Sequence, residues 1–174
     1  MTNDQVNALT TAQAKALAPA ALTRMNSDQI DSLNTDQIAV LSSTQLNSID
    51  PTDWATLSSD QVRAISTGAI AGLDATRISN LTSDQVQALT TDQVKALTST
   101  ALRDLTASQV KSLTTDQISA LSASQVPGIE SADLVQMSTD QIVAINTAAI
   151  AGLSSAQVNQ LTTDQIEALT TDQV

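Results

Sequence analysis

The chain counts in eights. Stepping from Met1 by eight meets Leu9, Leu17, Met25, Leu33, Leu41 and so on to Leu169, and every stop is a large aliphatic residue. The sixth residue of each octad is apolar too, from Val6, Ala14 and Leu22 through Trp54 to Val174. No insertion or deletion breaks the register over residues 1–174, which hold twenty-one full octads and six further residues. A longer period lies on top: 65–72 (ISTGAIAG) matches 145–152 (INTAAIAG), 33–40 matches 113–120, and 9–16 matches 89–96. That reads as duplication of a ten-octad block of eighty residues. A fixed short period of this kind marks a repeat architecture, in which each unit is supported by its neighbours.

The spacing of the apolar positions limits what one octad can be. Position 6 to the next position 1 is three residues, a helical step, but position 1 to position 6 is five. A continuous α-helix would turn this pattern by about 80° per octad and smear it around the helix. A strand would put the two positions on opposite faces. The helix must therefore restart in every octad, and position 2 carries the signal: Ser, Thr, Asn or Asp almost throughout, as in Ser58, Thr82, Asn34 and Asp74. These residues cap helix N-termini. Position 5 is Gln in fifteen of the twenty-two octads, completing the Ser/Thr-x-x-Gln capping box. Asp at position 4 suits the positive end of the helix dipole, and Lys15, Arg63, Lys95, Arg103 and Lys111 at position 7 suit the negative end. Pro19 and Pro51 stand at position 3, the first helical residue, where proline is best tolerated.

These preferences predict an all-α solenoid, or superhelix, of helices about one and a half turns long, one per octad. Helices that short are marginal alone, so neighbouring repeats of the same chain must hold them. Positions 1 and 6 face a thin aliphatic core, and small residues at position 8 (Ala88, Ala96, Gly72, Gly152) let neighbours approach. The number of octads per turn is expected between two and four. Pro127-Gly128 falls inside a helical stretch and predicts a break over 126–129. Trp54 is expected to plug a wider gap in the core. The register begins in phase at Met1 and stops within an octad at Val174, with no atypical polar cap at either end. The expectation is one array over 1–174, a fragment of a longer one.

Composition then narrows function. The chain has no His, Cys, Phe or Tyr, and its 18 acidic residues against 7 basic give a net charge of −11. Such a balance disfavours nucleic acid and anionic membranes. No apolar run approaches the ~20 residues of a membrane span, and no signal peptide opens the sequence. Asp50 with Asp53 is the nearest thing to an acid–base pair, but both fall in slots that serve a helix start, so no catalytic residue and no enzyme activity is expected. Without His or Cys there is no zinc or haem donor set beyond three Met, and no cofactor is implied. The position-4 acids (Asp28, Asp36, Asp84, Asp92, Asp116 and their successors) form a stripe that would attract divalent cations weakly, without a specific calcium loop. Thr at position 3 could form a hydroxyl row for ice or glycan, but that position varies among Thr, Ser, Ala, Pro and Asn. Asn80-Leu81-Thr82 is a chance-level glycosylation sequon.

The phrase LTTDQV or LTTDQI, at 89–94, 113–118, 161–166 and 169–174, resembles the ALTTxQ repeat tracts of very large bacterial proteins often labelled haem-utilisation or adhesion proteins. The resemblance covers the whole chain and implies a long surface-exposed or secreted array. The haem label has no footing here, since neither His nor Tyr is present. The expected role is a structural repeat region, a spacer, stalk or adhesive array at the bacterial surface or outside the cell. The alternative is a binding module gripping a peptide, glycan or protein along one face. It predicts that departures from the consensus, around 49–56, 69–79 and 126–135, cluster on that face.

Overall fold

The structure is a computed structural model that describes residues 1–174. It contains twenty α-helices of four to six residues, one 3₁₀ turn and no strand. The helices follow the octads: Asn3–Asn7, Thr11–Lys15, Pro19–Leu22 and onward to Thr163–Ala168. The 3₁₀ turn is Val126–Gly128, where Pro127 withholds the N–H that an α-helix needs.

Each helix starts as the sequence dictates. The position-2 residue is typically extended, as at Ser58 (φ −68°, ψ 160°), and its side chain accepts a hydrogen bond from the position-5 backbone N–H, except at Ala18 and Glu130, which make no such cap, and at Asp50, which accepts from Thr52 instead. In thirteen helices the position-5 Gln returns the bond to the position-2 N–H. Pro19 and Pro51 open their helices as N1 residues. The helix ends are less ordinary. No residue, glycine included, adopts a positive φ. The left-handed turn that usually ties off a helix is absent, and the chain leaves through extended residues such as Leu89 (φ −55°, ψ 134°). The position-6 carbonyl keeps one short-range bond from the next position-1 N–H, as from Leu89 to Val86, and the carbonyls at the helix exit have room for further donors.

The chain divides into two compact units, Met1–Leu89 and Thr90–Val174. In the first, helices pack on those three octads away: Asn3–Asn7 on Ser27–Asp31, Thr35–Ala39 on Ser59–Ala64, and Ser59–Ala64 on Ser83–Ala88. The second follows the same rule, Ser99–Arg103 packing on the 3₁₀ turn and Thr139–Ala144 on Thr163–Ala168. Three octads therefore make one turn in each unit. Positions 1 and 6 form the core, with Leu33, Leu41, Ile38, Leu46 and Trp54 among the largest fully or almost fully buried side chains of the first unit. At two position-8 glycines successive turns come very close. A Cβ on Gly128 would lie 2.1 Å from the Ser99 carbonyl oxygen, and one on Gly152 2.2 Å from that of Ala123. Glycine is required there by space, not by φ.

Candidate functional site

The most heavily invested side chain is the position-5 glutamine. Its Oε1 closes the capping box, and its Nε2 turns inward to carbonyls far back in the chain. Gln37 Nε2 donates to the carbonyls of Val6 (2.9 Å), Asn7 (3.1 Å) and Leu9 (2.7 Å). Gln85 does the same to Trp54 (3.2 Å), Ala55 (3.3 Å) and Leu57 (2.8 Å). In the second unit Gln125 reaches Val94 (2.8 Å), Lys95 (3.4 Å) and Leu97 (2.7 Å). The partners always lie 31, 30 or 28 residues earlier, at positions 6 and 7 of one octad and position 1 of the next. They are carbonyls at a helix exit; the position-6 one also accepts from the position-1 N–H that follows it, as Val6 does from Leu9. One amide therefore starts its own helix and finishes another almost four octads away. These glutamines are buried, Gln37 to 1% and Gln85 to 3% exposure. A buried polar group is tolerated when its donors and acceptors are met, as here.

The remaining position-5 residues show what this slot accepts. Arg77 fills it with a guanidinium whose Nη2 donates to the Ile49 carbonyl, 28 residues back as in the glutamines. Its Nη1 lies 3.6 Å from Asp74 Oδ2, and Trp54 Nε1 donates to the Arg77 carbonyl at 3.0 Å. Its Nε is buried without a partner. Octads 49–56 and 73–80, both off consensus, thus pack on each other within the first unit. Their distinctive side chains point inward, with Trp54 at 0% and Arg77 at 8% exposure. They repair the core where glutamine and a small aliphatic residue are missing, and offer little to an external ligand.

The two carboxylates considered for acid–base work are separated in role. Asp50 accepts from Thr52 Oγ1 (2.6 Å) and from its N–H (2.9 Å), and those bonds, with the Arg77 charge, hold its carboxyl below the ordinary range. Asp53 lies in the first turn of its helix but closes no capping box; Ser27 Oγ, three octads earlier, donates to its Oδ1. Asp133, eighty residues on, has Ala107 where Asp53 has Ser27, so its carboxylate lacks that donor. Burial, reinforced by the Glu130 charge, pushes its carboxyl up. The position-4 acids stand exposed, with Asp60 and Asp92 paired to Arg63 and Lys95 within their own octads at 3.1 and 3.6 Å. No three acidic side chains converge on a common point. No helix is long and apolar enough to cross a membrane. One cleft of about 350 Å³ is lined by Met1, Ala20, Ala21, Arg24, Met25 and Gln29, beside the slot that Ala21 leaves unfilled.

The inward reach of glutamine is the functional feature that sequence reasoning missed. A signal for it was present. A capping box accepts Glu as readily as Gln, yet both glutamates, Glu130 and Glu167, lie outside position 5. The slot calls for an amide donor, not only an acceptor.

The comparisons agree with this repeat architecture. A family model described as the ALTTAQ repeat matches residues 15–43, 55–91, 70–99, 91–123, 126–163 and 152–174. No curated protein matches the chain.

Proposed function

The chain belongs to the ALTTAQ repeat family, and on that premise we propose that it is a structural spacer or stalk in a large bacterial surface or secreted protein, without catalysis of its own. One observation carries the reading: the side chains best able to do chemistry are used up in building the repeat. Position-5 amides are shared between the start of one helix and the end of another. Arg77 and Trp54 mend the core, and Asp50 and Asp53 are engaged by hydroxyl donors. The exposed remainder is a mixed surface of Asp, Ser, Thr and Lys at positions 3, 4 and 7. An acidic surface of this kind attracts divalent cations diffusely and repels nucleic acid and anionic lipid.

The test is to rewrite positions 3, 4 and 7 throughout, keeping positions 1, 2, 5 and 6, in bacteria that carry the array. A spacer keeps its surface display and leaves cell attachment unchanged. Attachment lost from a variant that still folds by circular dichroism overturns the spacer reading in favour of recognition along the exposed face.

A further inference from the structure

The octads that carry Asp at position 5, 49–56 and 129–136, lie eighty residues apart, and each also has an acid at position 2. In the first octad every carboxylate has a donor. Asp50 takes the Thr52 hydroxyl and N–H, and Asp53 takes the Ser27 hydroxyl. The corresponding residues for the second octad are Ala132 and Ala107. Glu130 accordingly makes no side-chain cap, and no ion pair of the chain involves Glu130 or Asp133. Asp133 is nevertheless only 8% exposed. Its carboxyl is raised by burial and by the charge of Glu130, three residues before it, with no hydrogen bond to offset them.

Asp133 stands in the slot from which a glutamine amide would reach back. One octad earlier, Gln125 holds its Nε2 at 2.8, 3.4 and 2.7 Å from three carbonyls. One octad later, Gln141 reaches the carbonyls 30 and 28 residues before it. The same count from Asp133 gives Leu102, Arg103 and Leu105. Helix Ser131–Leu134 packs on Ala107–Ser112, which follows directly after them. The one backbone donor to these three carbonyls is the Leu105 N–H, at 3.4 Å from that of Leu102. Aspartate is one methylene shorter than glutamine. Extended the same way, it puts a carboxylate oxygen where the amide carbon would be and leaves the place of the missing NH2 group open.

We propose that a calcium ion takes that place, bound by Asp133 and the carbonyls of Leu102, Arg103 and Leu105, with Glu130 adding its charge from the exposed side. The donors are all oxygen and two of the groups are carboxylates, which suits a hard dication. Carbonyls that gather around an amide nitrogen must draw in to the about 2.3–2.6 Å of calcium–oxygen bonds, and calcium accepts such an irregular, adaptable shell. Magnesium asks for about 2.0–2.1 Å and a near-ideal octahedron, and dehydrates reluctantly. The way in is open: Arg77 Nε is the one side-chain polar atom both sealed from solvent and without a partner, so the oxygens of Asp133 are not sealed. In the first unit Ser27 already answers Asp53, which confines the site to the second. There the ion would do the clasping that glutamine does elsewhere.

The test is a titration of the chelator-treated full chain with calcium chloride, followed by amide NMR and calorimetry. A single saturable ion per chain is expected, with half-saturation at about 0.1–1 mM. The shifts should concentrate at 130–134 and at the N–H groups of Arg103, Asp104 and Thr106, which are bonded to the three carbonyls. Magnesium chloride should bind about tenfold more weakly or worse. Asp133→Gln installs the consensus clasp, keeps the wild-type circular dichroism and should weaken calcium binding by about tenfold or more. Asp116→Asn removes an equal charge from an exposed position 4 and should leave the affinity within about twofold. Shifts spread evenly along the position-4 acids, magnesium binding as tight as calcium, Asp133→Gln binding as wild type does, or Asp116→Asn losing as much as Asp133→Gln each overturns the proposal.

Discussion

Replacing Gln85 by Glu separates the two jobs of the position-5 side chain. From capping alone the change is harmless: Glu also closes a capping box, and its charge favours the helix N-terminus by about 0.3–1 kcal/mol. The structure gives the opposite sign. Nε2 of Gln85 stands 2.8, 3.2 and 3.3 Å from three carbonyl oxygens, and the residue is 3% exposed. Glutamate puts a buried carboxylate oxygen against those three carbonyl oxygens in place of a donor, a defect of about 3–5 kcal/mol. Gln85→Ala removes both jobs, at about 1 kcal/mol for the cap and about 1–3 kcal/mol for the unmet carbonyls. The closer analogue is therefore expected to be the worse variant at neutral pH, with a melting temperature lower by about 6–20 °C. The pH dependence identifies the cause. Burial raises the folded-state pKa of the new carboxyl, so the folded protein holds that proton to higher pH than the unfolded chain does. The penalty is full above the folded pKa and disappears as pH falls below the unfolded value of about 4.3, where the neutral acid can donate. Trp54 is the single tryptophan and its own carbonyl is one of the three acceptors, so its fluorescence reports the unfolding locally. A Gln85→Glu protein as stable as wild type at pH 7, or destabilised equally at pH 7 and pH 4, refutes the reasoning.

Gly152→Ala is expected to cost about 1–3 kcal/mol or more in chemical denaturation, because the new Cβ lies 2.2 Å from a backbone oxygen that cannot move aside cheaply. Gly68→Ala meets nothing within 4 Å, sits in helix Thr67–Ile70, and should gain about 0.5–1 kcal/mol. Asp133→Asn should raise the melting temperature at neutral pH, with the gain vanishing in acid as the buried carboxyl of wild type protonates in both states. Ala107→Ser should supply the donor that Ser27 gives Asp53 and lower the Asp133 carboxyl pKa, measured by NMR titration. Deleting 33–40 removes one octad and should preserve helicity and cooperative melting, whereas deleting 33–36 alone should abolish both.

The local structure was largely legible in the sequence, because its causes are local. Thr82 with Gln85, Pro51 at a helix start and Pro127 at a break each act within a few residues. Burial at positions 1 and 6 follows from spacing in the same way. Three octads per turn was not legible, since it depends on the angle at which each helix leaves the last, set by backbone torsions around positions 1 and 2. The second role of glutamine was hidden because its partners lie 28–31 residues away, beyond any local pattern. The bond that Asp53 accepts was hidden for a related reason: its side chain is one methylene shorter than glutamine and closes no capping box, and its partner, Ser27, lies on the preceding turn.

The duplicated block is ten octads long, and ten is not a multiple of three. Whatever copied it preserved the octad count without preserving whole turns. The glutamine clasp is compatible with that, since its reach of 28 to 31 residues is the same from every octad that carries the amide. A gene encoding such an array can lengthen or shorten by any number of 24-base units and still heal at the junction. Three octads set the winding, but one octad is the unit of inheritance.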